Sequence, residues 1–257
     1  MVQAIFFDVD GTLVSFRTHT VSPGVLDALH RLREKGIKLF ISTGRHIQLI
    51  DDLCRLFPFD GFVTLSGQYC FCGDTVLRRN PLPPRETADL VRAAREMNFP
   101  CVFMEENEVY VNHVDEATRE LLEELNIPCL NVHEPEHALS HTLYQAVVFL
   151  TEQEEDKLAR FAPTVDHTRW HPAFLDAIPA GGGKDVGVDA ILEHFHIPLE
   201  NAMAFGDGAN DLSMLTHVGL GVAMGNARDD VKAQADYVTD SVDEDGVVTA
   251  LKHFHIL

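Results

Sequence analysis

Ala4-Ile5-Phe6-Phe7-Asp8-Val9-Asp10-Gly11-Thr12 is the stretch on which the reading of this chain turns. Its first four residues are apolar and rich in strand formers, which predicts a buried strand. Two carboxylates and a glycine stand at the carboxyl end of that strand. In an open parallel sheet, ligands bind just beyond this end. Asp8 and Asp10 are two positions apart, so continued strand geometry would place them on one face. Like charges that close are unfavourable unless a cation neutralises them or one is protonated. Carboxylate oxygens are hard ligands and suit Mg²⁺. Asp and Gly are also ordinary turn residues, and this motif alone leaves turn and site both open.

Working outward, further apolar runs end in the same way. Residues 37–41 lack alternation, as in a strand buried on both faces, and lead to Ser42-Thr43-Gly44-Arg45. Residues 62–65 end in Ser66-Gly67, and 202–205 end in Gly206-Asp207-Gly208-Ala209-Asn210-Asp211. Residues 220–224 precede a Gly225-Asn226 turn. Between the first two strands, Ser22 and Pro23 start a helix as N-cap and first helical residue. Val25, Leu29 and Leu32 recur on one face of it, and Gly36 stops it. A helix after Thr43, through about residue 57, would offer first-turn amides to an anion. Thr43 would then add a hydroxyl donor or serve as a simple N-cap. Arg45 could pair with an acid or touch a substrate. Alternating strands and helices in both flanks of the chain predict an α/β, Rossmann-like, mostly parallel sheet wrapped by helices.

The middle of the chain has another pattern. Pro81-Leu82-Pro83-Pro84 makes a stiff connector. Helices are expected at 86–97, through 125 and at 152–161, with strands at 101–104, 108–112, 143–150, near 169 and at 174–178. Neighbouring strands plus helices suggest an α+β unit with an antiparallel sheet. The expected organisation is a core of 1–82 and 183–257 interrupted by a cap at 83–182. Ala180-Gly181-Gly182-Gly183-Lys184 brings the chain back. It fails the P-loop spacing, because Asp185 stands where Ser or Thr is required. The three glycines are a plausible hinge.

Composition narrows the partners. The formal net charge of −20 argues against nucleic acid and anionic membranes. It also disfavours a phosphate ester unless a bound cation reverses the local field. No apolar run approaches the ~20 residues of a membrane span. The first residues include no basic leader, so a cytoplasmic protein is expected. The five cysteines are irregularly spaced and are expected to be reduced packing residues. The fourteen histidines mostly stand singly, without HExxH spacing, and are expected to carry no metal chemistry.

The order DxDGT, TGR, Lys184 and GDxxND resembles the haloacid dehalogenase-like superfamily. More narrowly it is similar to the Cof-type phosphatases, which hydrolyse small phosphate esters, often sugar phosphates. The resemblance covers nearly the whole chain. It implies an α/β cap between the TGR motif and the lysine, acting as a lid. It implies phosphoryl transfer with Asp8 as nucleophile and Asp10 as general acid and base. Mg²⁺ would be held by Asp8, Asp207 and the backbone carbonyl of Asp10. Thr43, Gly44, Lys184 and Asn210 would bind phosphate oxygens. Asp211 would orient Lys184 or a metal-bound water. Arg45, His171 and Asp176 are candidates for touching the substrate, with Trp170 and Phe174 as candidates that could equally be packing residues. A small phosphorylated metabolite is the expected ligand. A phosphomutase-like transferase or a non-catalytic regulator binding a phospho-metabolite are the alternatives on the same fold. The oligomeric state is not visible in the sequence.

Overall fold

The structure is a computed structural model of residues 1–257; it describes all of them except the side chain of Trp170. That candidate therefore lies outside the described residues. The chain passes through strands β1 (Ala4–Phe7), β2 (Lys38–Ser42), β3 (Gly61–Thr64), β4 (Tyr69–Cys72), β5 (Thr75–Arg79), β6 (Cys101–Glu105) and β7 (Val109–Val111). It continues through β8 (Asn131–Val132), β9 (Leu143–Val148), β10 (Asp166–His171), β11 (Phe174–Ile178), β12 (Ala202–Gly206), β13 (Leu220–Ala223) and β14 (Tyr237–Val238). Two compact units result. One comprises Met1–Gly44, Ile50–Arg78 and Gly183–Leu257; the other comprises Arg45–Leu49 and Arg79–Gly182.

The first unit is a Rossmann-like sheet in the order β14-β13-β12-β1-β2-β3-β4-β5. The neighbours from β14 to β3 are parallel, and β4 turns back antiparallel on β3. The chain leaves β1 toward β2 on one side and returns to β12 on the other. The end of β1 is thus the topological switch point, where such sheets bind ligands. β1 is central because both its faces are apolar. Phe6 stacks on Phe40 at 4.9 Å, while Phe7, pointing the opposite way, stacks on Phe205 at 5.4 Å. Val188 and Ile191 from the helix Lys184–Phe195 pack with Phe6 and Phe40.

The helix Pro23–Glu34 forms where expected, with the Ser22 hydroxyl accepting from the Val25 amide at 3.1 Å. The helix expected directly after Thr43 does not form there. A short 3₁₀ turn, Ile47–Leu49, comes first, and the α-helix is only Asp51–Leu56. The reason is that Thr43 is still bound to the sheet edge. Its amide donates to Val63 O at 2.8 Å, and its carbonyl accepts from Ser66 N at 3.0 Å. Thr43 is therefore neither an N-cap nor part of a helix N-terminus.

The second unit is an α+β cap, with a six-stranded sheet in the order β10-β11-β9-β6-β7-β8. Its pairs are antiparallel except β7–β8, which is parallel. The helices Pro84–Met97 and Glu155–Phe161 contribute Leu90, Ala94 and Leu158 to one core with Phe103, Ala146 and Leu175 of the sheet. The segment after the helix Glu116–Glu124, which sequence patterning leaves blank, holds β8 and a 3₁₀ turn, Pro135–Ser140. All five cysteines are free. Cys129 is exposed and so is not a packing residue. Among the described residues, no helix is long and apolar enough to cross a membrane.

Candidate active site

The site grows from the end of β1. The Asp8 amide donates to Phe205 O at 3.0 Å, which carries the pairing with β12 one residue past the strand. The chain then turns sharply. The amides of Leu13 and Val14 both donate to Val9 O, at 3.0 and 2.8 Å, and Gly11 N donates to Val14 O at 2.9 Å. Asp10 stands on this turn, because the strand ends at Phe7. Gly11 has φ +77°, and a Cβ there would lie 2.2 Å from an Asp207 carboxylate oxygen. Both facts require glycine.

Lys184 is the first residue of its helix and is fully buried. Its Nζ donates to Asp8 Oδ1 at 2.6 Å and to Asp211 Oδ1 at 2.5 Å. The other oxygen of Asp211 accepts from the amides of Asp207 at 3.0 Å and Gly208 at 2.9 Å. Asp211 is thus spent on holding Lys184 and its own turn. A Cβ at Gly206 would fall 2.6 Å from Asp211, so the close approach depends on that glycine as well.

Asp207 is held from the opposite side. Its Oδ1 accepts from the Thr12 hydroxyl at 3.4 Å, and its Oδ2 accepts from Asn226 Nδ2 at 3.1 Å. Asn226 also donates to Gly11 O at 2.9 Å, and its Oδ1 accepts from Val242 N at 2.8 Å. The sequence reading treats Asn226 only as a turn residue. Its position after the apolar run 220–224, at the same sheet edge as the other motifs, is the signal that could have singled it out. Thr43 and Gly44 follow β2, and Asn210 lies on the 3₁₀ turn Ala209–Asp211 after β12. Because β1, β2 and β12 are parallel neighbours, these residues lie at the same edge as Asp8. The loop after β3 lies there too and is strained: Leu65 and Ser66 both have φ 53°. Such backbone collects at functional sites.

The charges do not balance. Ligand atoms of Asp8, Asp207 and Asp211 all lie within 4.8 Å of one another, with the single ammonium of Lys184 among them. Burial, reinforced by the negative charge of Asp211, raises Asp8 to about 7 although Lys184 pulls the other way. Burial and the Asp8 charge hold Asp207 well above the usual carboxylate range. Burial alone would lower Lys184, but Asp211 and Asp8 outweigh it and raise it. An all-oxygen donor set with excess negative charge fits a hard divalent cation.

Three nominated substrate residues sit in the cap unit. Arg45 donates to the backbone carbonyls of Leu125 at 2.9 Å and Leu49 at 3.4 Å. His171 stacks on Phe174 at 4.9 Å, its Nδ1 accepts from Ala173 N at 3.2 Å, and burial lowers its pKa. Phe174 itself packs with Leu121 and Leu125 in a small apolar cluster. Asp176 is buried in β11, paired with β10 at Thr168 and with β9 at Val147.

Residues 5–251 match the haloacid dehalogenase-like hydrolase family. The chain belongs to that family. This haloacid dehalogenase-like hydrolase is 33% identical to YkrA of Bacillus subtilis (strain 168) over 99% of its own length and 98% of the relative's. It is 30% identical to the pyridoxal phosphate phosphatase YbhA of Escherichia coli (strain K12), over 93% of this chain and 96% of that one. Among solved structures, the subclass IIB sugar phosphatase BT4131 superposes with a TM-score of 0.92 at 40% identity, covering 100% of both chains. With these relatives, the hydrolase is an enzyme of the phosphatase kind, built as a Rossmann-like core with an inserted cap. Phosphatases of this family generally use a divalent metal.

Two outcomes follow from the geometry. Asn226→Ala removes a group that orients a candidate metal ligand. It should raise the divalent cation concentration giving half-maximal activity by about 10–100-fold, the usual cost of losing such a partner. An unchanged metal titration would show that Asn226 does not orient the ligand.

The raised Asp8 group gives a pH effect of definite sign. Its pKa is 3.8 in the unfolded reference and about 7 in the fold. Between those values the folded form binds more protons, so the metal-free protein loses stability as pH rises from about 4 to about 7. Asp8→Asn removes that penalty. In chelator, the variant should therefore gain stability relative to wild type across this window, read as the difference in melting temperature at each pH. A pH-independent difference would contradict the assignment.

Proposed function

We propose that the chain is a Mg²⁺-dependent phosphatase of small phosphate monoesters, acting through an aspartyl phosphate on Asp8, with sugar phosphates as leading substrates. The observation that carries this reading is the Lys184 ammonium buried between Asp8 and Asp211, with Asp207 at the same cluster. Lys184 holds Asp8 Oδ1, which supports Oδ2 as the attacking atom.

In the first step Asp8 Oδ2 bonds to phosphorus as the bond from phosphorus to the leaving oxygen breaks. Asp10 gives its proton to that oxygen, releasing an alcohol. In the second step the Asp10 carboxylate takes a proton from water while the water oxygen bonds to phosphorus. The bond to Asp8 breaks, which restores the carboxylate and releases inorganic phosphate. Lys184 has three donors. Two hold Asp8 and Asp211, and the third is assigned to a phosphate oxygen together with Thr43, Gly44 and Asn210. Asp211 is a positioning residue, acting through Lys184. Mg²⁺ held by Asp8, Asp207 and the Asp10 carbonyl would supply the positive charge that lets a phosphate approach three carboxylates.

The substrate class is supported by charge and by kinship. A chain of net charge −20 repels polyanions more strongly than a single small ester. YbhA and BT4131 are named for small phosphorylated molecules, and the sugar phosphatase has the higher identity, 40% against 30%.

Chelation should abolish turnover, and Mg²⁺ should restore it. Asp10→Asn should slow hydrolysis of alkyl phosphates by roughly 10²–10⁴-fold, the range for general acid–base catalysis. It should slow aryl phosphates much less, because their leaving groups need little protonation. Equal defects on both would overturn the role given to Asp10. Phosphate release from a panel of phosphorylated metabolites, compared by kcat/KM, tests the substrate class. Sugar phosphates should lead, and a phosphopeptide or nucleotide ahead by tenfold would remove the sugar assignment.

A further inference from the structure

The cap unit holds a second cluster of titratable side chains that the reaction above does not use. His133, His137 and His141 recur at every fourth position around the 3₁₀ turn Pro135–Ser140. Their rings form a stack, with centroids 4.4 Å apart for His133–His137 and 4.1 Å apart for His137–His141. Two carboxylates face the stack from the β6–β7 hairpin: Glu105 at the end of β6 and Glu108 just before β7. His137 Nε2 lies 3.9 Å from Glu105 Oε1 and 3.9 Å from Glu108 Oε2. His141 Nδ1 lies 3.9 Å from Glu105 Oε1 and 2.9 Å from His137 O, a contact it would give up to hold an ion through that nitrogen. His133 Nε2 and Glu108 Oε1 are already hydrogen-bonded at 3.0 Å.

The decisive feature is a pair of orphans. His137 Nε2 and Glu105 Oε1 are both buried without a hydrogen-bond partner, and Glu105 is only 7% exposed. Buried polar groups in native proteins are almost always satisfied, so each such atom calls for an explanation. At 3.9 Å the two are too far apart to bond to each other. They are close enough to share an ion, since two ligands at about 2.0–2.2 Å from one centre stand at most about 4.3 Å apart. Closing by about half an ångström would reach the tetrahedral separation. Imidazole with carboxylate is the donor set of zinc and its transition-metal neighbours, not of Mg²⁺. A cleft of about 620 Å³, lined by Glu105, Glu108, Asn131 and His141 among others, gives an ion a way in.

We propose that the cap binds one divalent transition-metal ion, of the Zn²⁺ type, at His137 Nε2, Glu105 and His141. A second triad, Glu108, His133 and His137, overlaps the first. His137 belongs to both, so the cluster takes a single ion, and the Glu108–His133 pair stands beside it as a hydrogen-bonded flank. The ion would pin the turn Pro135–Ser140 to the end of β6.

The test is a zinc titration against a chromophoric chelator, on the full chain in excess Mg²⁺ so that the core carboxylates are occupied. Wild type should take up one zinc per chain, and its melting temperature should rise on zinc addition. Glu105→Gln keeps the side chain's size and removes the charge; His137→Ala removes the central donor. Each should weaken zinc binding by at least about 100-fold, no less than the loss expected for an outer-shell partner, and should abolish the thermal shift. Mg²⁺-supported phosphate release should persist in both variants, which shows that they fold. Asp207→Asn, a change in the core, should leave the zinc titration unaltered. Absence of zinc uptake by wild type, wild-type affinity in both cap variants, or loss of uptake in Asp207→Asn would each overturn the proposal.

Discussion

Everything at the sheet edge depends on one buried ammonium. Lys184 joins Asp8 and Asp211, which lie 176 and 27 residues from it in sequence, at 2.6 and 2.5 Å. An ion triad of this kind is a poor source of stability, because desolvating three charges offsets most of their attraction. What it provides is placement. The end of β1, the start of the helix Lys184–Phe195 and the turn after β12 cannot move independently once the ammonium is satisfied. The glycines around it follow from that constraint. A Cβ at Gly67 would lie 2.0 Å from Gly183 O, and one at Gly206 would collide with Asp211. Side-chain volume is absent where the ammonium must be reached.

Much of this was legible in the sequence, for reasons that lie in particular residues. β1 is legible because both faces of a central strand are apolar, and four apolar residues lead directly into Asp8. Ser22-Pro23 marked a helix start because capping is a local event. The joint presence of Asp8, Lys184, Asp207 and Asp211 pointed to one site because their types suit one chemistry, although their spacing in sequence is arbitrary. The helix-start reading of Thr43 fails because its backbone partners are not local. Its amide and carbonyl are taken by Val63 and Ser66, partners that no window around Thr43 contains. Asn226 reads only as a turn residue for the same reason: its partners Asp207 and Gly11 are remote in sequence.

The histidines of the cap show the deeper limit. Spacing by four is visible at 133, 137 and 141, but the segment carries neither helical amphipathicity nor strand alternation. Only the folded 3₁₀ turn stacks the rings, and only the β6–β7 hairpin brings Glu105 and Glu108 to them. Spacing alone gave no ground for distinguishing these three from the other histidines.

The two clusters differ in a way that lets them coexist. The core set offers only carboxylate oxygens, whose charge its one ammonium offsets only in part, and its donors are hard. Such a set has no nitrogen donor with which to favour a transition metal, and it suits a hard divalent cation. The cap set offers imidazoles, which Mg²⁺ scarcely uses and for which zinc outcompetes it at far lower concentration. Donor chemistry thus sorts the ions, without any need for the two units to communicate. The core carboxylates hydrogen-bond to Lys184, Thr12 and Asn226. In the cap, His137 Nε2 and Glu105 Oε1 are buried 3.9 Å apart without a hydrogen bond, a gap that a shared ion would bridge.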